Sequence, residues 1–69
     1  MERTAVSSSN LASVGYDADT LTLEVEFLNG TVYQYYDVPE GVFEELLNAG
    51  SVGSYFSHNV RNNYPTQKV

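Results

Sequence analysis

The chain has 69 residues, no cysteine, and a formal net charge of −6 built from nine acidic and three basic side chains. At this length one domain buries only about 60% of its unfolded surface, and without cysteine neither a disulfide nor a thiolate-held zinc can brace it, so packing alone must hold the fold. The acidity works against long-range attraction to phosphate polymers and anionic membranes. No apolar run approaches the ~18 residues of a membrane span, and no charged-then-apolar leader opens the sequence. A soluble, cytoplasmic, monomeric protein with no membrane contact is expected.

Residues 1–10 show no apolar period, and 1–5 are expected to be mobile. The first strand is expected over 11–16, with Ala12, Val14 and Tyr16 alternating on one side and Gly15 marking a bend or a close backbone approach. Asp17-Ala18-Asp19-Thr20 turns the chain. In the next strand Leu21, Leu23, Val25 and Phe27 fall on one face and Thr22, Glu24 and Glu26 on the other, so one face is core and one is wet. Asn29-Gly30 is a strong hairpin signal, and 31–36 is the returning strand.

Two hairpin registers are open. A two-residue loop at Asn29-Gly30 sets Phe27 opposite Val32 and leaves Tyr33 and Tyr35 on the solvent side. A three-residue loop, Leu28-Asn29-Gly30 with Gly30 in the left-handed bulge position, sets Val25 opposite Tyr33 and Leu23 opposite Tyr35, and takes both tyrosines into the core. The second register is favoured because it pairs Gln34 with Glu24 on the polar face and accounts for Leu28 as a loop residue. Tyr36 is then the tyrosine left on the polar face.

Asp37, Pro39 and Glu40 have the spacing of an N-cap, a first-turn proline and a capping-box glutamate, so a helix starts near Pro39. Val42, Phe43, Leu46 and Leu47 form its apolar stripe, and Gly50 can close it in the left-handed conformation. Ser51 can cap a second helix whose apolar positions Val52, Tyr55, Phe56, Val60 and Tyr64 keep helical spacing until Pro65 stops it. Residues 66–69 are expected to fray. The predicted fold is one α+β domain over residues 1–69, a three-stranded antiparallel β-meander followed by two short helices packed on its apolar face.

The order and spacing of Val6 with Ser8-Ser9, Val14-Gly15-Tyr16-Asp17, Leu23-x-Val25-x-Phe27, Gly30, Tyr33-x-Tyr35, Val38-Pro39, Ser51-Val52-Gly53, Tyr55-Phe56 and Val60-Arg61 with Tyr64 resemble the KTSC domain. That family is named for the C-terminal region of some lysyl-tRNA synthetases and also occurs as small stand-alone bacterial proteins. The resemblance implies a domain without assigned enzymatic activity, and through the synthetase association it implies nucleic-acid binding, for RNA above all. Tyr16, Tyr33, Tyr35, Val38, Pro39, Tyr55 and Phe56 carry the resemblance and are expected to act structurally.

Binding of single-stranded nucleic acid needs exposed aromatics beside cations. His58, Arg61 and Asn62 recur at three- and four-residue spacing and can share one polar helix face, and Tyr36 can offer its ring for stacking. These four are the candidate ligand residues, although the same helix pattern also describes a solvated side, and Asn62-Asn63 after Arg61 adds no phosphate contact. The alternative is a protein-interaction module docking through a sheet edge or through Leu28 and Tyr36. No enzyme is expected, because the single histidine, His58, has serines nearby but no orienting acid, and the carboxylate pairs Glu24/Glu26 and Glu44/Glu45 have no enclosing pocket. No metal site or cofactor is expected, and Ser8-Ser9 are expected to tie the N-terminal segment to the sheet.

Overall fold

The computed structural model of the protein describes residues 1–69. Five strands, β1 (Arg3–Ala5), β2 (Leu11–Asp17), β3 (Thr22–Phe27), β4 (Val32–Tyr35) and β5 (Thr66–Lys68), form one antiparallel sheet whose spatial order is the chain order. Helices α1 (Glu40–Asn48) and α2 (Val52–Asn59) lie between β4 and β5 in sequence and cover one sheet face. The fold is α+β with two helices, but four strands precede the helices instead of three, and a fifth follows them.

The additional strands are the two ends expected to be mobile. Arg3 to Ala5 pair with Gly15 to Ser13, and Thr66 to Lys68 pair with Tyr35 to Tyr33. All six edge residues are exposed, so no apolar alternation could mark them. They become strands because β2 and β4 would otherwise present an unpaired row of backbone donors and acceptors. The connection from β1 is fixed by Ser8, whose Oγ accepts from the amides of Asn10 at 3.1 Å and Leu11 at 3.2 Å, the tying role expected of that serine.

The hairpin takes the three-residue register, with Leu23 opposite Tyr35 and Val25 opposite Tyr33. Gly30 has φ +91°, its amide donates to Phe27 O at 2.9 Å, and the Phe27 amide donates to Thr31 O at 2.8 Å. Asn29 Oδ1 accepts from the Thr31 amide at 3.1 Å and hydroxyl at 2.7 Å, which locks the turn. A Cβ at Gly30 meets no atom within 4 Å, so the strain of Gly30→Ala is purely conformational. Chemical denaturation should read a loss of about 1–2 kcal/mol for this variant.

Strand β2 carries a bulge, since Leu11 opposes Phe27 while Ser13 opposes Glu26. Ala12 is the extra residue, and the inward set is therefore Leu11, Val14 and Tyr16, not Ala12, Val14 and Tyr16. The core joins Leu11, Val14, Leu23, Val25 and Tyr35 of the sheet to Val38, Leu46, Val52, Phe56 and Val60. Tyr16 ties β2 to the start of α1: its hydroxyl donates to Val38 O at 2.5 Å, and its ring stacks on Phe43 with centroids 5.2 Å apart.

Helix boundaries differ from the expected ones at three points. Asp37 does not cap α1: it sits at φ +61°, the Val38 amide is held by Leu21 O at 3.0 Å, and Pro39 becomes the N-cap without a side-chain bond. Gly50 is not left-handed, because Ala49 already leaves α1 in an extended conformation that leads straight to Ser51. Ser51 does cap α2, its side chain accepting from the Ser54 amide at 3.2 Å. That helix ends at Asn59 instead of running to Pro65, because the amides of Val60 and Arg61 both donate to Phe56 O and turn the chain.

The two helices are clasped by Tyr55, whose hydroxyl donates to Glu45 Oε1 at 2.7 Å. That bond, with burial behind it, pushes the Tyr55 phenol from 10.0 up to about 12. Burial also raises Tyr16, helped by the charges of Glu40 and Asp17, and burial raises Tyr35. A phenol harder to ionise in the folded state adds stability that is complete below the unfolded value and is lost as pH rises through the folded value. Stability should therefore fall between about pH 10 and pH 12, tracked by tyrosinate absorbance, and Tyr55→Phe should remove the highest of the titration steps.

Candidate functional site

The two sheet faces use their polar groups differently. On the face away from the helices Gly15 has no side chain, and Arg3 reaches across it to Glu24, Nη1 to Oε2 at 3.4 Å. Gln34 Nε2 donates to Glu24 Oε1 at 2.9 Å, and the Tyr36 hydroxyl donates to Gln34 Oε1 at 3.0 Å. A further contact of 3.5 Å links Tyr36 to Gln67 of β5. One hydrogen-bonded row thus crosses the sheet, and Tyr36 is a half-buried member of it whose hydroxyl is already occupied.

On the helical side a cleft of about 440 Å³ opens between the end of α2, the β3–β4 hairpin and β5. Its floor is aromatic. Phe27 meets Tyr33 edge-to-face at 5.7 Å and Phe56 at 5.6 Å, and Phe56 in turn meets Tyr35 at 5.5 Å. Phe56 and Tyr35 are buried, whereas Phe27 and Tyr33 are half-buried and face the opening. The rim is Asn10, Asn29, Thr31, Arg61, Asn62 and Thr66, with Ser57 on the helix wall. The Tyr-x-Tyr alternation of β4 therefore divides its labour: Tyr35 joins sheet to helix, and Tyr33 reaches the cleft.

Charge singles out the same place. Of nine acidic residues none lines the cleft, while Arg61 does, and Lys68 stands opposite Tyr33 in the β4–β5 register. The third cation, Arg3, is engaged by Glu24 on the other face. Burial holds the Tyr35 phenol above its ordinary value, with the Thr66 hydroxyl and the Arg61 charge pulling the other way. The cleft is a small positive spot on an acidic molecule.

The four candidate ligand residues are not brought together. Arg61 and Asn62 line the cleft, Tyr36 lies on the opposite sheet face, and His58 borders a separate groove with Ser8, Ser51 and Ser54. The separation follows from the early end of α2: past Asn59 the backbone turns, so helical spacing no longer relates His58 to Arg61 and Asn62. His58 Nδ1 lies 2.8 Å from Ser54 O, a contact in which the ring N–H donates, so that nitrogen is not free to take a proton from Ser54 Oγ at 3.3 Å. No three histidine, cysteine, aspartate or glutamate side chains converge, and no helix is long and apolar enough to cross a membrane.

The profile of the KTSC domain matches residues 7–64. The chain belongs to the KTSC domain family. A protein of Stutzerimonas stutzeri described as uncharacterized is 47% identical over 57 residues, which is 83% of this chain and 80% of that one. The lysine–tRNA ligase of Trichormus variabilis is 41% identical over 54 residues, 78% of this chain but only 10% of the ligase. The crystal structure of a KTSC domain protein from Yersinia pestis matches with a TM-score of 0.93 at 36% identity, covering 99% of this chain and 96% of that one.

In this KTSC domain the motif residues Tyr16, Val38, Pro39 and Phe56 stand at the joints between sheet and helices, and Tyr55 at the joint between the two helices. Phe27, Asn10, Asn29, Thr31, Thr66 and Lys68 were not among the candidate residues. They come from three separate segments, the β1–β2 connection, the β3–β4 hairpin and β5, and only the hairpin register, which places Phe27 and Tyr33 on one face, hints that the cleft is aromatic.

Proposed function

We propose that the protein is a non-enzymatic binding module whose cleft between α2 and the β3–β4 hairpin takes single-stranded nucleic acid, RNA above all. The observation that carries the reading is the meeting of half-buried Phe27 and Tyr33 with Arg61 in walls free of carboxylates. An aromatic floor offers a base roughly 1–3 kcal/mol of stacking, and an uncommitted guanidinium offers a phosphate two aligned donors. The occurrence of a homologous segment within lysine–tRNA ligases supports RNA over other anions. Strand addition by a protein partner is the less favoured reading, because both sheet edges are three-residue strands, too short to template a long pairing.

Fluorescence anisotropy of a labelled single-stranded RNA at low salt tests the proposal. Arg61→Ala should weaken binding about 10-fold, the equivalent of ~1.4 kcal/mol, and Tyr33→Ala by a similar factor. Tyr36→Phe should leave binding unchanged, because the row on the outer face is not part of the cleft. Equal affinity of the wild type and Arg61→Ala would remove the cleft from the account.

A further inference from the structure

Building on the nucleic-acid reading of the cleft, we infer that it holds one unstacked nucleotide at a time, base and phosphate, and does not track a length of strand. A strand-tracking groove needs a row of cations, and here the supply ends with Arg61 in the wall and Lys68 opposite Tyr33. Phosphates farther along a strand meet a molecule with net charge −6. The remaining rim is neutral and suited to a base edge. Asn62 makes no side-chain hydrogen bond within the protein, and Asn29, whose Oδ1 is taken by Thr31, keeps its Nδ2 donors free. The cleft offers about 440 Å³ with an aromatic floor formed by Phe27 and Tyr33, in keeping with a single nucleotide.

Electrostatics makes the inference quantitative. With two phosphate contacts at most, the log–log slope of affinity against salt is about −1.4, so raising salt from 50 to 200 mM costs roughly 7-fold, whereas contact with every phosphate of an octanucleotide costs several hundred-fold. The test is an NMR titration of the full chain with uridine 5′-monophosphate, with ribose 5-phosphate, and with octauridylate, whose bases stack little on one another. The mononucleotide and the octamer should shift the amides of Tyr33, Arg61 and Asn62, with similar affinity per binding register and the shallow salt dependence. Ribose 5-phosphate, which keeps the phosphate and lacks the base, should shift Arg61 alone and bind at least about 10-fold more weakly than the mononucleotide. Binding of the octamer with a silent mononucleotide, or the steep salt dependence, overturns the single-nucleotide inference and leaves the nucleic-acid reading standing. Ribose 5-phosphate acting as well as the mononucleotide overturns the base contact, and silence from all three removes both readings.

Discussion

Phe56→Ala should leave the protein largely unfolded at room temperature. Phe56 is 2% exposed and its ring meets both Phe27 and Tyr35, so it is the residue through which α2 is fastened to β3 and β4. Truncating a buried phenylalanine costs about 3–5 kcal/mol, partly in lost transfer energy and partly in the cavity left behind. A domain of this size has only ~3–10 kcal/mol of stability in total. The cost is therefore comparable with the whole. Urea unfolding followed by circular dichroism is the check, with Leu28→Ala as the control: Leu28 is 60% exposed, and its truncation should stay within about 0.5 kcal/mol of wild type. A Phe56→Ala protein with the wild-type midpoint would show that the aromatic chain does not hold the helices to the sheet.

Gly15→Ala should detach β1. A Cβ at this position would lie 2.5 Å from Glu2 O and 2.9 Å from Arg3 Cγ, and the first of these neighbours is backbone that cannot swing aside. Overpacking of this kind costs about 1–3 kcal/mol. Here β1 has an alternative to bearing it, since its three residues are exposed and make no core contact. The strand should peel away, breaking the Arg3–Glu24 pair and freeing the amides that β1 and β2 exchange. Hydrogen exchange should show rapid exchange confined to β1 and the outward edge of β2, with β3 still protected. Uniform loss of protection across the sheet would mean that β1 is part of the cooperative core.

The difference between these two variants also explains which parts of the fold could be read from the sequence. Strands β2, β3 and β4 announce themselves because each sets apolar against polar residues, and Asn29-Gly30 with an accountable Leu28 fixes a register in which Tyr35 enters the core. The end strands carry no such pattern. Arg-Thr-Ala and Thr-Gln-Lys are polar tripeptides that pair only because a long-range partner is waiting, and nothing local separates them from a frayed tail. Asp37 misleads for a related reason: its cap spacing is genuine, but the tertiary bond from Val38 to Leu21 O places it in a left-handed turn outside the helix.

The cleft was half legible. Polarity singles out Arg61 and Asn62, which line the cleft, while helical periodicity joins them to His58, a link the structure breaks because two amides share the Phe56 carbonyl and turn the chain. The register puts Tyr36 on the polar face, where it lies, but its half-buried position and its bond to Gln34 hold it in the outer row, apart from the cleft. The register takes Tyr33 into the core alongside Tyr35, yet Tyr33 is only half-buried, because the cleft opens over it where α2 ends.

The most direct measurement is a two-dimensional amide NMR titration of the wild-type chain with a short single-stranded RNA at low salt. Shifts should concentrate on Asn10, Tyr33, Arg61, Asn62 and Thr66, the segments that enclose the cleft, with Gln34, Tyr36 and Gln67 of the outer row unmoved. Shifts centred on that outer row or on the His58 groove, or none at all at millimolar RNA, would contradict a binding role for the cleft.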